Sequence, residues 1–103
     1  MKKTFPLHLP DQTDSRVITA IQVTLNKYVK RERRKALPEG AGGWNFQCRV
    51  GADPETAQPC QVPEIPAAIA AVALAEHPEV YVEILAEPRL RTGVADGAEK
   101  GSL

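Results

Sequence analysis

Six cationic side chains crowd into nine residues of the sequence and form its clearest chemical feature. Cations that share one exposed helix face can contact phosphate groups and release counterions. At about 100° per residue, four of the six fall within one sector and lie opposite the apolar positions of the same segment. The predicted polyanion-binding residues are therefore Lys27, Lys30, Arg31 and Arg34. The alternative is a solvated helix end, where cations are favoured by the helix dipole.

One acidic residue, Glu32, interrupts the basic stretch. Its helical-wheel position lies near the middle of the apolar stripe, between Tyr28 and Ala36. We expect the helix to have passed the edge of the sheet at this point, so that Glu32 reaches solvent or pairs with a neighbouring arginine. The alternative is a partly buried carboxylate that organises the basic residues, and such a group would need a partner or a proton.

Charge is divided unevenly along the 103-residue chain, although the formal net charge is zero. The first 50 residues hold ten Lys and Arg against four Asp and Glu, and residues 51–103 hold three against nine. This split predicts a polarised surface. It leaves nucleic acid and an acidic protein open as partners of the basic stretch. The zero net charge argues against a strong general DNA binder.

The two cysteines, Cys48 and Cys60, show no CxxC spacing, and no HxxxH spacing accompanies them. We expect two small, partly buried, reduced side chains without a bound metal, because disulfides are rare in the cytoplasm. A disulfide or redox pair is the alternative. Cys48 is predicted to face inward and His8 outward, so the two should not meet as a catalytic pair. No cofactor is expected.

Sequence signatures of catalysis are missing, since GxSxG, GxxxxGK[ST] and GxGxxG do not occur. We therefore expect a binding protein rather than an enzyme. The longest apolar run, 65–75, is interrupted by Pro66 and is far shorter than the roughly 20 residues that span a bilayer. The first ten residues lack the apolar region of a signal peptide. These features predict a cytoplasmic protein without a membrane segment.

The elements that position these residues alternate between two periodicities. Period-two alternation predicts strands, and a period of 3.6 predicts helices, in the order strand 3–9, helix 16–37, strand 44–50, helix 63–77 and strand 80–87. The segment from Ala57 to Val62 could form a further strand. Pro59 lacks an N–H group and argues for an edge position or an irregular segment there.

This order predicts an α+β domain in which two helices cover one face of a small, mostly antiparallel sheet. With the uncertain strand included, β-α-β-β-α-β is compatible with a ferredoxin-like arrangement, whose third strand is central. Without it, the sheet has three strands and 53–62 is a loop. We expect a single domain over 1–92 and a disordered tail over 93–103, which has little to bury.

The same alternation sorts the strand residues into two faces. The predicted core faces the helices and comprises Phe5, Leu7, Trp44, Phe46, Val80, Val82 and Ile84, packed against Ile18, Ile21, Leu25, Tyr28, Ile69 and Val72. The predicted outer face is solvated and comprises Asn45, Gln47, Arg49, Tyr81, Glu83 and Leu85. Only Tyr81 among them could stack a base, so an RNA-recognition motif is not expected.

Four segments carry a resemblance to a known family: KKTFPL at the start, KYVKRERRKALPEG from Lys27, WNFQC from Trp44 and YVEILAEP from Tyr81. The sequence resembles a small family of bacterial proteins of about this length whose function is not established. The resemblance covers most of 1–92, implies a cytosolic bacterial protein and transfers no catalytic residue.

The expected function is therefore a binding module for an anionic partner, nucleic acid or a ribonucleoprotein, through the basic helix. The alternative is a protein-interaction or homo-oligomeric module without catalytic activity, in which surfaces of opposite charge could meet head to tail.

Overall fold

The computed structural model describes residues 1–90 and confirms the predicted α+β class. The elements in chain order are β1 (Lys2–Pro6), α1 (Asp14–Arg33), β2 (Ala41–Gly51), β3 (Gln58–Cys60), a 3-10 turn (Val62–Glu64), α2 (Ile65–Leu74) and β4 (Glu79–Leu90). The predicted domain limit at 92 and the predicted disordered tail over 93–103 lie outside the described residues.

The four strands form one sheet in the order β1-β4-β2-β3, and every neighbouring pair is antiparallel. The segment around Pro59 is therefore a strand and not a loop, which confirms the first of the two alternatives. It lies at the edge of the sheet. A ferredoxin-like arrangement would place the third strand between the first two. Here β4 occupies that place, because a three-residue strand with a proline at its centre cannot supply a ladder on both sides.

A single apolar core lies between one face of the sheet and both helices, as predicted. Val80, Val82 and Ile84 of β4 are fully buried, and Ile69 of α2 covers them together with the apolar stripe of α1. Trp44 differs from the prediction, because it is only half-buried and lies outside this cluster. The remaining predicted core positions are buried or packed against the cluster.

Helix α1 begins and ends earlier than its periodicity predicts. Thr13 is the N-cap, and its hydroxyl accepts a hydrogen bond from the N–H of Arg16 at 3.3 Å. At the other end, Arg34 is the C-cap, so the last helical residue is Arg33 rather than Leu37. Neither helix in the described part of the chain is long and apolar enough to cross a membrane.

Strands β2 and β4 extend beyond their predicted limits and pair from Ala41↔Leu90 to Gly51↔Tyr81. Pro88 does not end β4, for a geometric reason. The N–H of Ile84 donates to Met1 on the β1 side, and N–H directions repeat every second residue, so Pro88 directs its missing donor to that side too. Because β1 pairs only with residues 79–83, the missing donor breaks no ladder bond there.

Candidate polyanion-binding surface

The four predicted cations lie together on the last two turns of α1 and just beyond its end. Lys27, Lys30, Arg31 and Arg34 are all exposed, as their wheel positions predict. We call these four residues the basic helix face. The apolar stripe on the opposite side of α1 is held against the sheet by Leu25 and Val29, so the core fixes the direction in which the face points.

Acidic side chains of residues 1–90 leave most of the basic helix face uncompensated. Within 4 Å, the ion pairs of the arginines and lysines in this part of the chain are Arg31 and Lys35 with Glu32, and Arg49 with Glu83. Lys27, Lys30 and Arg34 make none among these residues. Among residues 1–90, the exposed cations of this face therefore favour a positive potential on one side, although the formal net charge of the whole chain is zero.

Glu32 is buried, with 8% of its surface exposed, and the expectation that it reaches solvent is wrong. Its Oε2 atom lies 2.9 Å from Nζ of Lys35 and 3.9 Å from Nε of Arg31. The helix ends at Arg33, one residue after Glu32, and the turn at Lys35 brings a cation back over the carboxylate. Because a buried carboxylate needs a partner, this arrangement matches the alternative in which Glu32 organises the basic residues.

Two guanidinium groups at the end of α1 lie over aromatic rings. Arg31 lies 5.5 Å from the ring centre of Tyr28, and Arg33 lies 5.3 Å from that of Phe46. A guanidinium held on a ring keeps its N–H groups available to a phosphate or carboxylate. Arg33 was not predicted as a site residue, because its wheel position is away from the basic helix face and nothing in the sequence locates Phe46 beneath it.

The indole of Trp44 joins the basic end of α1 to strand β2. Its Nε1–H donates to the carbonyl of Lys35 at 3.3 Å. Beside it, Arg33 and Gln61 line a groove of about 420 Å³. Trp44 thus lies beside Arg33 and the carbonyl of Lys35 instead of in the core.

The outer face of the sheet is not an open polar surface at its centre. Tyr81 is buried, and its hydroxyl donates to Oε1 of Glu83 at 2.8 Å. Arg49 reaches the same oxygen at 3.5 Å and donates to the carbonyls of Pro54 and Ala57. The hydrogen bond to Glu83, together with burial, raises the pKa of Tyr81. Arg49 thereby holds the loop after β2 against the sheet, which is a structural role.

Gly51 allows the loop after β2 to approach the strand closely. A Cβ atom at this position would lie 2.6 Å from the Cα of Ala57, nearer than real Cβ contacts occur. The loop is closed internally by Asp53, whose carboxylate accepts hydrogen bonds from the N–H and the hydroxyl of Thr56 and has a lowered pKa for that reason. The prediction of a solvated outer face therefore fails at Tyr81.

The two thiols are free and lie opposite each other on β2 and β3. Burial raises the pKa of Cys48 to about 11, and burial also raises the pKa of Cys60. The thiolate is the reactive form, so both thiols react slowly at neutral pH and faster as the pH rises. Nδ1 of His8 lies 3.0 Å from the carboxylate of Asp14, and the thiol of Cys48 donates to the carbonyl of Phe46 instead. In the described part of the chain, no three His, Cys, Asp or Glu residues are grouped as a metal site.

Fold and surface together define a small α+β domain with one basic helix end in residues 1–90. The chain belongs to a family of unknown function, DUF6172, whose family model matches residues 1–95. This assignment agrees with the predicted resemblance to a small family whose function is not established. No curated protein and no solved structure matches the chain.

Proposed function

We propose that this domain binds a polyanion, with nucleic acid as the partner, through Lys27, Lys30, Arg31 and Arg34. The observation that carries the proposal is the lack of acidic partners, within residues 1–90, for three of these four exposed cations. Cations left in water beside one another repel, and phosphate groups relieve that repulsion and release counterions. The proposal also assumes the cytoplasmic location that the sequence predicts.

The dimensions of the basic helix face support a small contact with a nucleic acid backbone. Seven residues separate Lys27 from Arg34, which corresponds to about 10 Å along a helix axis. A strand offers several phosphates over that length, so we expect about three contacts and a slope of log K against log salt of about −2 to −3. Binding should therefore be weak and strongly reduced by salt.

The neighbouring side chains support nucleic acid over an inorganic anion. Arg31 and Arg33 are held on aromatic rings, and the half-buried Trp44 lies at the same end of α1. Aromatic and guanidinium groups beside a basic surface are typical of proteins that bind single-stranded nucleic acid without strong sequence preference. We therefore expect a mixed single-stranded RNA or DNA to bind at least as well as a duplex of equal length.

The test is fluorescence anisotropy with labelled single-stranded and duplex oligonucleotides at low and near-physiological salt. Changing Lys30, Arg31 and Arg34 together to Gln should reduce the affinity about tenfold or more at low salt, since about two of three phosphate contacts are lost. The fold should persist, because exposed substitutions usually change stability by no more than about 0.5 kcal/mol each. Trp44 is the single tryptophan, so its fluorescence provides a second, local readout.

A matched control separates the basic helix face from net charge. Lys2 and Lys3 lie on β1, and Arg16 lies in the first turn of α1. All three are exposed and lie outside the basic helix face, and their combined change to Gln removes the same charge. We expect that control variant to bind like the unchanged protein. Equal losses in both triple variants, or no binding at low salt, would contradict the proposal. Sedimentation of the free protein at two salt concentrations would then test the alternative of a homo-oligomeric module.

A further inference from the structure

The two cysteines of the chain are register partners in the sheet. In the antiparallel pair of β2 and β3, Cys48 faces Cys60 directly, and the pair is followed by Arg49↔Pro59 and Val50↔Gln58. Directly opposite residues point to the same face of a sheet. The core cluster agrees, since Cys48 belongs to it and Cys60 packs against it. Twelve positions apart in sequence, the two thiols are thus brought together by the fold.

The separation of directly opposed residues matches the span of a disulfide. Their Cα atoms are about 4.5–5.5 Å apart in any regular antiparallel ladder. Disulfides join Cα atoms about 4.4–6.8 Å apart. The backbone spacing expected at Cys48 and Cys60 therefore falls within the range that disulfides span.

The two thiols differ in access to solvent. Cys48 is 3% exposed, and its thiol donates to the carbonyl of Phe46. Cys60 is half-buried, and both cysteines line a cavity of about 490 Å³ together with Pro59 and Glu64. A dissolved disulfide or peroxide can therefore meet Cys60 first, and Cys48 is the nearest thiol to resolve the product.

We propose that Cys48 and Cys60 are a modification site that closes into a cross-strand disulfide when the protein meets a low-molecular-weight disulfide such as glutathione disulfide. The Cys60 thiolate attacks one sulfur of glutathione disulfide, a mixed disulfide forms and one glutathione thiolate leaves. The Cys48 thiolate then attacks Sγ of Cys60, and the second glutathione leaves. The two protein thiols lose two protons and two electrons, and glutathione disulfide gains them as two molecules of glutathione.

The bond would strengthen the weakest strand of the sheet. Strand β3 has three residues and an edge position, and Pro59 contributes no N–H to its ladder. The chain passes from Cys60 through Gln61 into the 3-10 turn and α2. A covalent link at Cys60 therefore fixes both the edge strand and the entry to α2, while the reduced protein keeps only the three-residue ladder.

The experiment incubates the folded protein with excess glutathione disulfide at mildly alkaline pH and stops the exchange with acid. Alkylation in denaturant followed by mass spectrometry counts the remaining thiols, and peptide mapping locates the bond. We expect nearly complete conversion to one intramolecular Cys48–Cys60 disulfide, and full reversal by dithiothreitol. The melting temperature of the oxidised form should be higher than that of the reduced form.

Single variants test the order of the steps. Cys48→Ser should accumulate a stable glutathione adduct at Cys60, because no resolving thiol remains. Cys60→Ser should stay unmodified in the same time, because Cys48 is buried. Repeating the exchange with glutathione disulfide in urea shows whether the fold directs the pairing of the two cysteines. We expect the equilibrium constant for the intramolecular disulfide to be about tenfold or more larger in the folded chain than in the unfolded chain.

Three results would overturn the proposal: persistence of the dithiol or of the mixed disulfide in the folded protein, predominant disulfide-linked dimers, or an equilibrium equally favourable in urea. The proposal is independent of polyanion binding, since neither cysteine belongs to the basic helix face.

Discussion

The two ends of helix α1 bury opposite kinds of side chain on the same side of the helix. Over its first four turns the buried positions are Val17, Ile21, Leu25 and Val29, all in the apolar core. The next buried position is Glu32, a carboxylate. Burying apolar carbon stabilises a fold, whereas burying a carboxylate is unfavourable unless a partner offsets the lost hydration.

This difference shows how a neutral chain keeps a positive surface. The buried carboxylate of Glu32 forms ion pairs with Lys35 and Arg31. It is therefore not available to neutralise the cations on the opposite side of the helix. The cations on the far side of the helix, Lys27, Lys30 and Arg34, keep their charge exposed. The first four turns of α1 therefore contribute mainly to folding through their buried side, whereas the end of the helix presents exposed cations.

The largest effect is expected in the apolar half of α1. Ile21→Ala should lower the free energy of unfolding by about 2–4 kcal/mol, because the lost burial and the remaining cavity add. Val23 on the same helix is 46% exposed, so Val23→Ala should change the free energy of unfolding by no more than about 0.5 kcal/mol. Urea unfolding of both variants measures the contrast. Similar values for the two would show that the buried stripe has been assigned to the wrong face of α1.

The next effect concerns the charged end. Lys35→Ala removes the cation 2.9 Å from buried Glu32 and should lower the free energy of unfolding by about 1 kcal/mol. Arg34 is adjacent and exposed, and no acidic residue of the described range lies within 4 Å of it. Arg34→Ala should therefore stay within about 0.5 kcal/mol. If Arg34→Ala costs as much as Lys35→Ala, pairing with Glu32 is not what distinguishes the two cations.

Much of this division could be predicted from the sequence. The 3.6-residue period identifies the stripe and the opposite cations, because both depend only on helix geometry. The burial of Glu32 could not be decided, since it depends on where α1 ends and on the turn that returns Lys35 over the carboxylate. The same limit applies to the burial of Tyr81. Tyr81 is the register partner of Gly51, and the loop that approaches Gly51 is held by Arg49.

Strand pairing was harder to predict than strand position. The alternation of apolar and polar residues located three strands, but it carries no information about the order of the strands in the sheet. Pro59 indicated the edge correctly, whereas the strand predicted to end at Glu87, before Pro88, continues to Leu90. A proline excludes one ladder bond on one side, and only the pairing reveals whether that side is occupied.

The smallest effect distinguishes a core tryptophan from one that belongs to the basic end of α1. Trp44→Phe keeps an aromatic ring but removes the indole N–H that donates to the carbonyl of Lys35 at 3.3 Å. The contact is solvent-exposed, so water can replace the donor, and the free energy of unfolding should fall by only about 0.5 kcal/mol. Circular dichroism during urea unfolding measures it, since the fluorescence of the single tryptophan is lost. A loss as large as that of Ile21→Ala would mean that Trp44 packs in the core, as the strand alternation predicts, and that the charged end of α1 begins further from β2 than the structure places it.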